Sequence, residues 1–161
     1  MQKVELGQGN YTPGKFHTLL KIKDVPMGIL ICFESIFPSI SREEVKNGAR
    51  VLVNITSDGW YGRSLGPIEH FELARFRAIE TNRYLVRCAR TGISAIVTPE
   101  GEIVKSIGLF KDGILSYDVP LYKTKTPYVK YGDWMVLVAI LNLFGIGVYN
   151  ALRKKTKERV Q

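Results

Sequence analysis

Between residues 17 and 119, apolar runs of strand length alternate with polar, glycine-bearing breaks, and two stretches carry apolar residues at helical spacing. "HTLLKI" (17–22) and "MGILICF" (27–33) read as strands joined by a "KDVP" turn. "PSISREEVKNGA" (38–49) reads as a helix. Ser39 or Ser41 is placed to cap it, Glu43 and Glu44 fall in its first turn, and Asn47-Gly48 closes it. "RVLVNIT" (50–56) is a buried-type strand, followed by the glycine-rich loop "SDGWYGRSLGP". In "PIEHFELARFRAIETNR" (67–83), Ile68, Phe71, Ala74, Ala78 and Ile79 recur at helical spacing, with Pro67 at the start. "YLVRCAR", "ISAIVTP", "GEIVKSI" and "GILSYDV" are short strands, and "TPEGEI" marks a hairpin between two of them. Strand, helix, strand, helix and then hairpins predict an α/β layered fold. No internal repeat is visible.

The remainder of the chain changes character. Residues 120–133, "PLYKTKTPYVKYGD", read as a linker. Residues 134–152, "WMVLVAILNLFGIGVYNAL", are nineteen residues without a formal charge. As a helix this run spans about 28 Å, close to a bilayer's hydrocarbon thickness. Trp134 and Tyr149 lie near its ends, as interfacial aromatics do. The alternative is a buried C-terminal helix. The basic tail 153–161, "RKKTKERVQ", favours a membrane span with the tail in the cytoplasm and residues 1–130 outside. No apolar export signal opens the chain, so an external domain implies that something N-terminal is missing.

Composition narrows the class. The 161 residues are 45% hydrophobic and 24% charged, which suits one folded domain. The net charge of +8 raises the possibility of a nucleic-acid partner, but half of the excess sits in the last nine residues. No zinc spacing, phosphate loop or ribonucleoprotein motif accompanies it. Cys32 and Cys88 make no disulfide framework. His17 and His70 are the only histidines, so no metal site is expected.

Candidate chemistry begins at Cys32, where a strand ends and the chain breaks before a helix. Such a corner faces the crevice at a strand's carboxyl end, where open α/β sheets bind ligands. The other reading is an inert thiol in an apolar strand. Glu34 lies two positions on, and in an extended chain it shares a face with Cys32. It is functional, or it is a capping or ion-paired glutamate. In "NITSDGWYG" (54–62), Asn54, Ser57 and Asp58 can bind backbone or each other, and Trp60 and Tyr61 place large rings between glycines. His70 is either a partner for cysteine chemistry or a hydrogen-bonded structural residue. Arg77 and Glu80, three apart, can pair on a helix surface.

"ICFESIFP", "NITSDGWYG" and "GPIEHFELARFRAIETNRYLVRCARTGISAIVTPEGEI", in this order, resemble the nitrilase (carbon-nitrogen hydrolase) superfamily. Within it, "YTPGK" and the closing apolar helix resemble the C-terminal part of the bacterial apolipoprotein N-acyltransferases. The resemblance implies an α-β-β-α sandwich, of which residues 1–119 are the C-terminal portion. A linker (120–133), a transmembrane helix (134–152) and a cytoplasmic tail (153–161) follow. It also implies a Glu-Lys-Cys triad. The nucleophile falls on Cys32, a backbone oxyanion donor on Phe33 and a supporting carboxylate on Glu34. Trp60 falls on the family's tryptophan, and Trp60 and Tyr61 are expected to contact substrate. Gly66, Pro67, His70, Arg75, Arg77, Ala78 and Glu80 fall on segments expected to be scaffold.

The base glutamate and the lysine have no matching motif here; Lys3, Lys15 and Lys21 do not sit in one. The expectation is therefore a fragment, inactive by itself. The implied reaction moves an acyl chain from a phospholipid, through a cysteine thioester, to the N-terminal amine of a diacylglyceryl lipoprotein. The implied setting is the periplasmic face of a bacterial inner membrane, with no cofactor, no metal and no nucleic acid. The rival readings are an amidase acting on small amides and an inactive remnant.

Overall fold

The computed structural model describes the backbone of residues 18–160 and the side chains of residues 18–150. "YTPGK", Lys3, Lys15, His17 and the side chains of the basic tail lie outside the described residues. Six strands form one mixed sheet in chain order: β1 (Leu20–Ile22), β2 (Val25–Ile31), β3 (Val51–Thr56), β4 (Leu85–Ala89), β5 (Ser94–Val97) and β6 (Ile103–Ile107). β2, β3 and β4 are parallel, and the outer pairings are antiparallel. The parallel pairs need crossovers, supplied by α1 (Pro38–Lys46) and α2 (Gly66–Thr81). The "KDVP" turn is a two-residue hairpin loop. Lys23 and Asp24 take φ of 46° and 64°, the left-handed pair that matches strand twist.

Alternation along the strands separates two faces. Leu30, Leu52, Leu85, Ala95 and Val97 pack with Val45 of α1 and with Phe71, Ala74 and Ala78 of α2 in one fully buried cluster. Val51, Tyr84 and Ile96 face the other way, packed by Met27, Val86, Val104, Leu115 and Val119. Beyond that second cluster the opposite face is open and apolar, with Ile31 and Ile55 exposed. The described residues thus form one sheet with helices on one face.

β2 stops at Ile31, because Cys32 takes φ of 51° and starts a 3₁₀ turn, Cys32–Ile36. Cys32 and Glu34 therefore do not share one face of an extended strand. α1 has no side-chain cap: Pro38 occupies its first turn behind Phe37, and the Ser41 hydroxyl donates to the Pro38 carbonyl. Ile68 and Ile79 of α2 are exposed. Its inward stripe is completed instead by the polar residues His70, Arg77 and Thr81. Residues 113–119 form no strand; Leu115 and Val119 pack singly, and the Ser116 carbonyl accepts from Lys105.

Residues 120–133 are tied to the fold. Arg50 donates to the carbonyls of Leu121 and Tyr122, and Arg83 donates to that of Thr124. A short helix, α3 (Pro127–Tyr131), is capped by Thr126 and buries Val129. The apolar run lies in α4 (Trp134–Val160). Among the described residues, no helix is long and apolar enough to cross a membrane. The part of α4 with described side chains, residues 134–150, is shorter than the roughly 20 residues a span takes.

Candidate active site

The parallel strands β2, β3 and β4 end at one edge of the sheet, and the sequence candidates collect there. At the end of β2 the backbone turns at Cys32 into the left-handed region, an unusual conformation for a residue with a side chain. The turn leaves the thiol half-buried on the helix-covered side, within 3.4 Å of the Thr56 hydroxyl at the end of β3. Glu34 is bonded to the backbone and not to the thiol. Its Oε2 accepts from the Ile31 backbone N–H at 2.7 Å, which braces the junction of strand and turn as a capping glutamate does. The Phe33 backbone N–H lies in the first turn of the 3₁₀ segment, where such donors lack partners within the helix. The Phe33 ring is half exposed and lies edge-on to Phe37, with centroids 5.8 Å apart.

Beneath the thiol lies a buried polar network. The Ser35 hydroxyl donates to the Cys32 carbonyl at 3.0 Å and lies 3.2 Å from His70 Nε2. His70 Nδ1 donates to Asp58 Oδ1 at 2.8 Å. Arg87, from the middle of β4, donates to Asp58 Oδ2 at 2.8 Å and also to Asn54 Oδ1 and the Ile93 carbonyl. Asn54 Nδ2 in turn donates to the carbonyls of Leu30 and Cys32. The turn's backbone is therefore held by β3 through Asn54 and by α2 through Arg77, which donates to the Ile36 carbonyl, while His70 reaches it by way of the Ser35 hydroxyl.

The electrostatics follow from burial. Burial pushes the Asp58 carboxyl up, but the His70 hydrogen bond and the charges of Arg87 and His70 outweigh it and hold the group below its ordinary value. Burial lowers the Arg87 guanidinium, and the Asp58 carboxylate opposes that pull. Arg77 is likewise lowered by burial against Glu80, its partner at 2.9 Å. Burial raises the Glu80 carboxyl, with Arg77 opposing.

The two loop aromatics differ. Trp60, in the 3₁₀ turn Gly59–Tyr61, is 87% exposed. Tyr61 is half-buried, its ring centroid 6.0 Å from that of His70. Gly66 permits this packing, since a Cβ there would overlap the Tyr61 ring. Gly92 is similarly constrained, because a Cβ would overlap the Asp58 carboxylate.

Of the residues singled out in the sequence, Cys32, Asn54, Asp58 and His70 meet in this cluster and Glu34 does not, while Ser35, Thr56 and Arg87 join it without having been singled out. Arg87 carried a usable signal: it occupies an inward position of "YLVRCAR", where an unpaired charge could not be buried. Ser35 and Thr56 carried none, because small hydroxyl residues occur at any strand end.

The profile of the carbon-nitrogen hydrolase family matches residues 5–126. The chain is 41% identical over 133 residues to the apolipoprotein N-acyltransferase of Geobacter metallireducens, covering 83% of this chain and 26% of that protein. It is 36% identical over 143 residues to that of Thermotoga maritima, covering 86% of this chain and 28% of the relative. The chain thus spans about a quarter of the length of these relatives. Among solved structures, it resembles Saccharomyces cerevisiae Nit3, a nitrilase-superfamily member, with a TM-score of 0.52 and 24% identity, covering 64% of this chain and 41% of that one. It also resembles a carbon-nitrogen hydrolase of Helicobacter pylori, with a TM-score of 0.57 and 16% identity, covering 64% and 43%. These structural likenesses establish a nitrilase-like α/β fold.

Proposed function

This chain belongs to the carbon-nitrogen hydrolase family, and from that premise we propose that it carries the nucleophile of an N-acyltransferase acting on lipids. The observation that carries this reading is the placement of Cys32. Its thiol stands at the carboxyl edge of the parallel strands, on a left-handed turn whose backbone the buried network braces. The name of the relatives at 36–41% identity supplies the reaction class.

In the proposed reaction the Cys32 thiolate attacks the ester carbonyl of a phospholipid. The acyl–oxygen bond breaks, the lysophospholipid leaves as an alkoxide that takes up the proton given up by the thiol, and a thioester remains. The α-amine of a diacylglyceryl-cysteine lipoprotein then attacks the thioester. The amide forms, the carbon–sulfur bond breaks, and the sulfur leaves as the thiol. Both steps build charge on a carbonyl oxygen, and the Phe33 backbone N–H is assigned to meet it. Glu34 supports the turn that presents this N–H. Trp60 and Tyr61 are assigned to the acyl chain. Among the described residues the thiol's hydrogen-bond partner is Thr56, so the proton-accepting carboxylate and the lysine are assigned to sequence outside the described residues.

The membrane setting is part of the same proposal. On α4, Met135, Leu137, Leu141, Phe144 and Ile146 are all exposed. A helix apolar around its circumference needs apolar surroundings. We assign it to the bilayer, with the basic tail on the cytoplasmic side and the sheet outside. The open apolar face around Ile31 and Ile55 is assigned to a second sheet, which completes a four-layer sandwich.

A chimaera tests the reaction. This chain replaces the aligned quarter of the Geobacter relative, and acyl transfer from phospholipid to a diacylglyceryl peptide is followed in detergent. Transfer that Cys32→Ala abolishes supports the proposal. Release of ammonia from small amides, without transfer, would replace it with an amidase reading.

A further inference from the structure

We propose that Thr56 is a second residue of the reacting centre, whose hydroxyl gives its proton to the Cys32 sulfur when that sulfur is ionised and to Asp58 when it is not. This rests on the reading of Cys32 as the nucleophile. Thr56 ends β3 one position beyond the Ile31–Ile55 pairing, directly beside the turn. It is buried, and its β-branched side chain has few rotamers to choose from. Its Oγ1 lies 3.4 Å from Cys32 Sγ and 3.2 Å from Asp58 Oδ1. One hydroxyl proton thus has two acceptors.

The balance between the acceptors depends on the sulfur. A protonated thiol is a weak acceptor, so the proton goes to the carboxylate, and the Thr56 oxygen is free to receive the S–H. A thiolate is a strong acceptor, and rotation about one bond redirects the hydroxyl to it. Asp58 tolerates the loss, because His70 still donates to Oδ1 and Arg87 to Oδ2. Charged groups around the sulfur are themselves paired. Arg87 attracts an ionised Cys32, and its partner Asp58 opposes that attraction from within the same ion pair. His70 is engaged with Asp58 and Ser35, and Glu34 with the Ile31 N–H. Tyr61 packs against His70, its ring centroid 6.0 Å from that of the imidazole.

The test reads the ionisation of Cys32 by its alkylation with iodoacetamide as a function of pH. The full chain is used in a Cys88→Ser background, since Cys88 is exposed and would react. Thr56→Val removes the hydroxyl and keeps the branch. It is expected to move the alkylation midpoint to higher pH and slow the reaction about five-fold at neutral pH. Thr56→Ser is expected to restore the midpoint, and Thr56→Ala repeats the measurement should the valine variant not fold. An unchanged midpoint in a folded variant without the hydroxyl overturns the proposal. Alkylation reports thiol ionisation whether or not acyl transfer occurs. An unshifted midpoint therefore removes the role of Thr56 alone, whereas transfer that survives Cys32→Ala removes the nucleophile and leaves the measured ionisation standing.

Discussion

Arg87 and Asp58 form an ion pair of 2.8 Å in which both side chains are fully buried, directly beneath the strand ends that carry Cys32. An interior ion pair is costly to desolvate and holds only when every lone pair and proton is used. Here Asp58 also accepts from His70 and Thr56, and Arg87 also donates to Asn54 and Ile93. The pair is the hub through which β3, β4 and α2 are set relative to the turn.

Asp58→Asn leaves Arg87 buried without a counter-ion and is expected to cost about 3–5 kcal/mol at neutral pH. The Asp58 carboxyl is held below its ordinary value in the fold. Its contribution is therefore present above the unfolded value of about 3.9 and is lost as pH falls through the lower folded value. Urea titrations of parent and variant should show a wide gap at pH 7 that narrows below about pH 4. A gap independent of pH would place the cost elsewhere.

Gly92→Ala brings a methyl group onto the Asp58 carboxylate. The expected loss is about 1–3 kcal/mol, as for other overpacked sites. Combined with Asp58→Asn, the two losses should sum to more than the double variant shows, since both disturb one contact. Strict additivity in thermal unfolding would mean that the loop around Gly92 moves away freely.

Trp60→Ala and Tyr61→Ala should separate. Trp60 is almost fully exposed, so its removal should change stability by less than about 0.5 kcal/mol while lowering acyl transfer in the chimaera. Tyr61 packs near His70 and over Gly66, so its removal should lower stability as well. Unchanged transfer in the Trp60 variant would remove that ring from the substrate site.

For α4, the full chain expressed in a bacterium should stay with the membrane through alkaline carbonate washing. Leu141→Asp with Phe144→Asp places two charges on its exposed apolar surface and should release the chain. Retention of the doubly charged variant would show that α4 is not what holds the chain there.

Much of this architecture was legible in the chain. The apolar runs around Leu30, Leu52 and Leu85 marked the buried strands. Asn47-Gly48 and "TPEGEI" marked the end of α1 and the β5–β6 hairpin. The failures share a cause, in that side-chain polarity does not report backbone direction or partner geometry. Cys32 lies in an apolar run, so nothing in the pattern reveals that φ turns positive there and separates it from Glu34. Ile68 and Ile79 fit a helical stripe, yet the inward face went to His70, Arg77 and Thr81 because each found a buried partner. The cluster beneath the thiol joins residues as far apart as Ser35 and Arg87, and such convergence exists only once the sheet has formed.

The most direct measurement is of the thioester itself. The chimaera is incubated with a phospholipid carrying a labelled acyl chain and no amine acceptor, then digested and mapped by mass spectrometry. The account predicts one acyl group on the peptide containing Cys32, removed by neutral hydroxylamine and absent in Cys32→Ala. A label on Cys88, or an acyl group that persists in the Cys32→Ala protein, would contradict it.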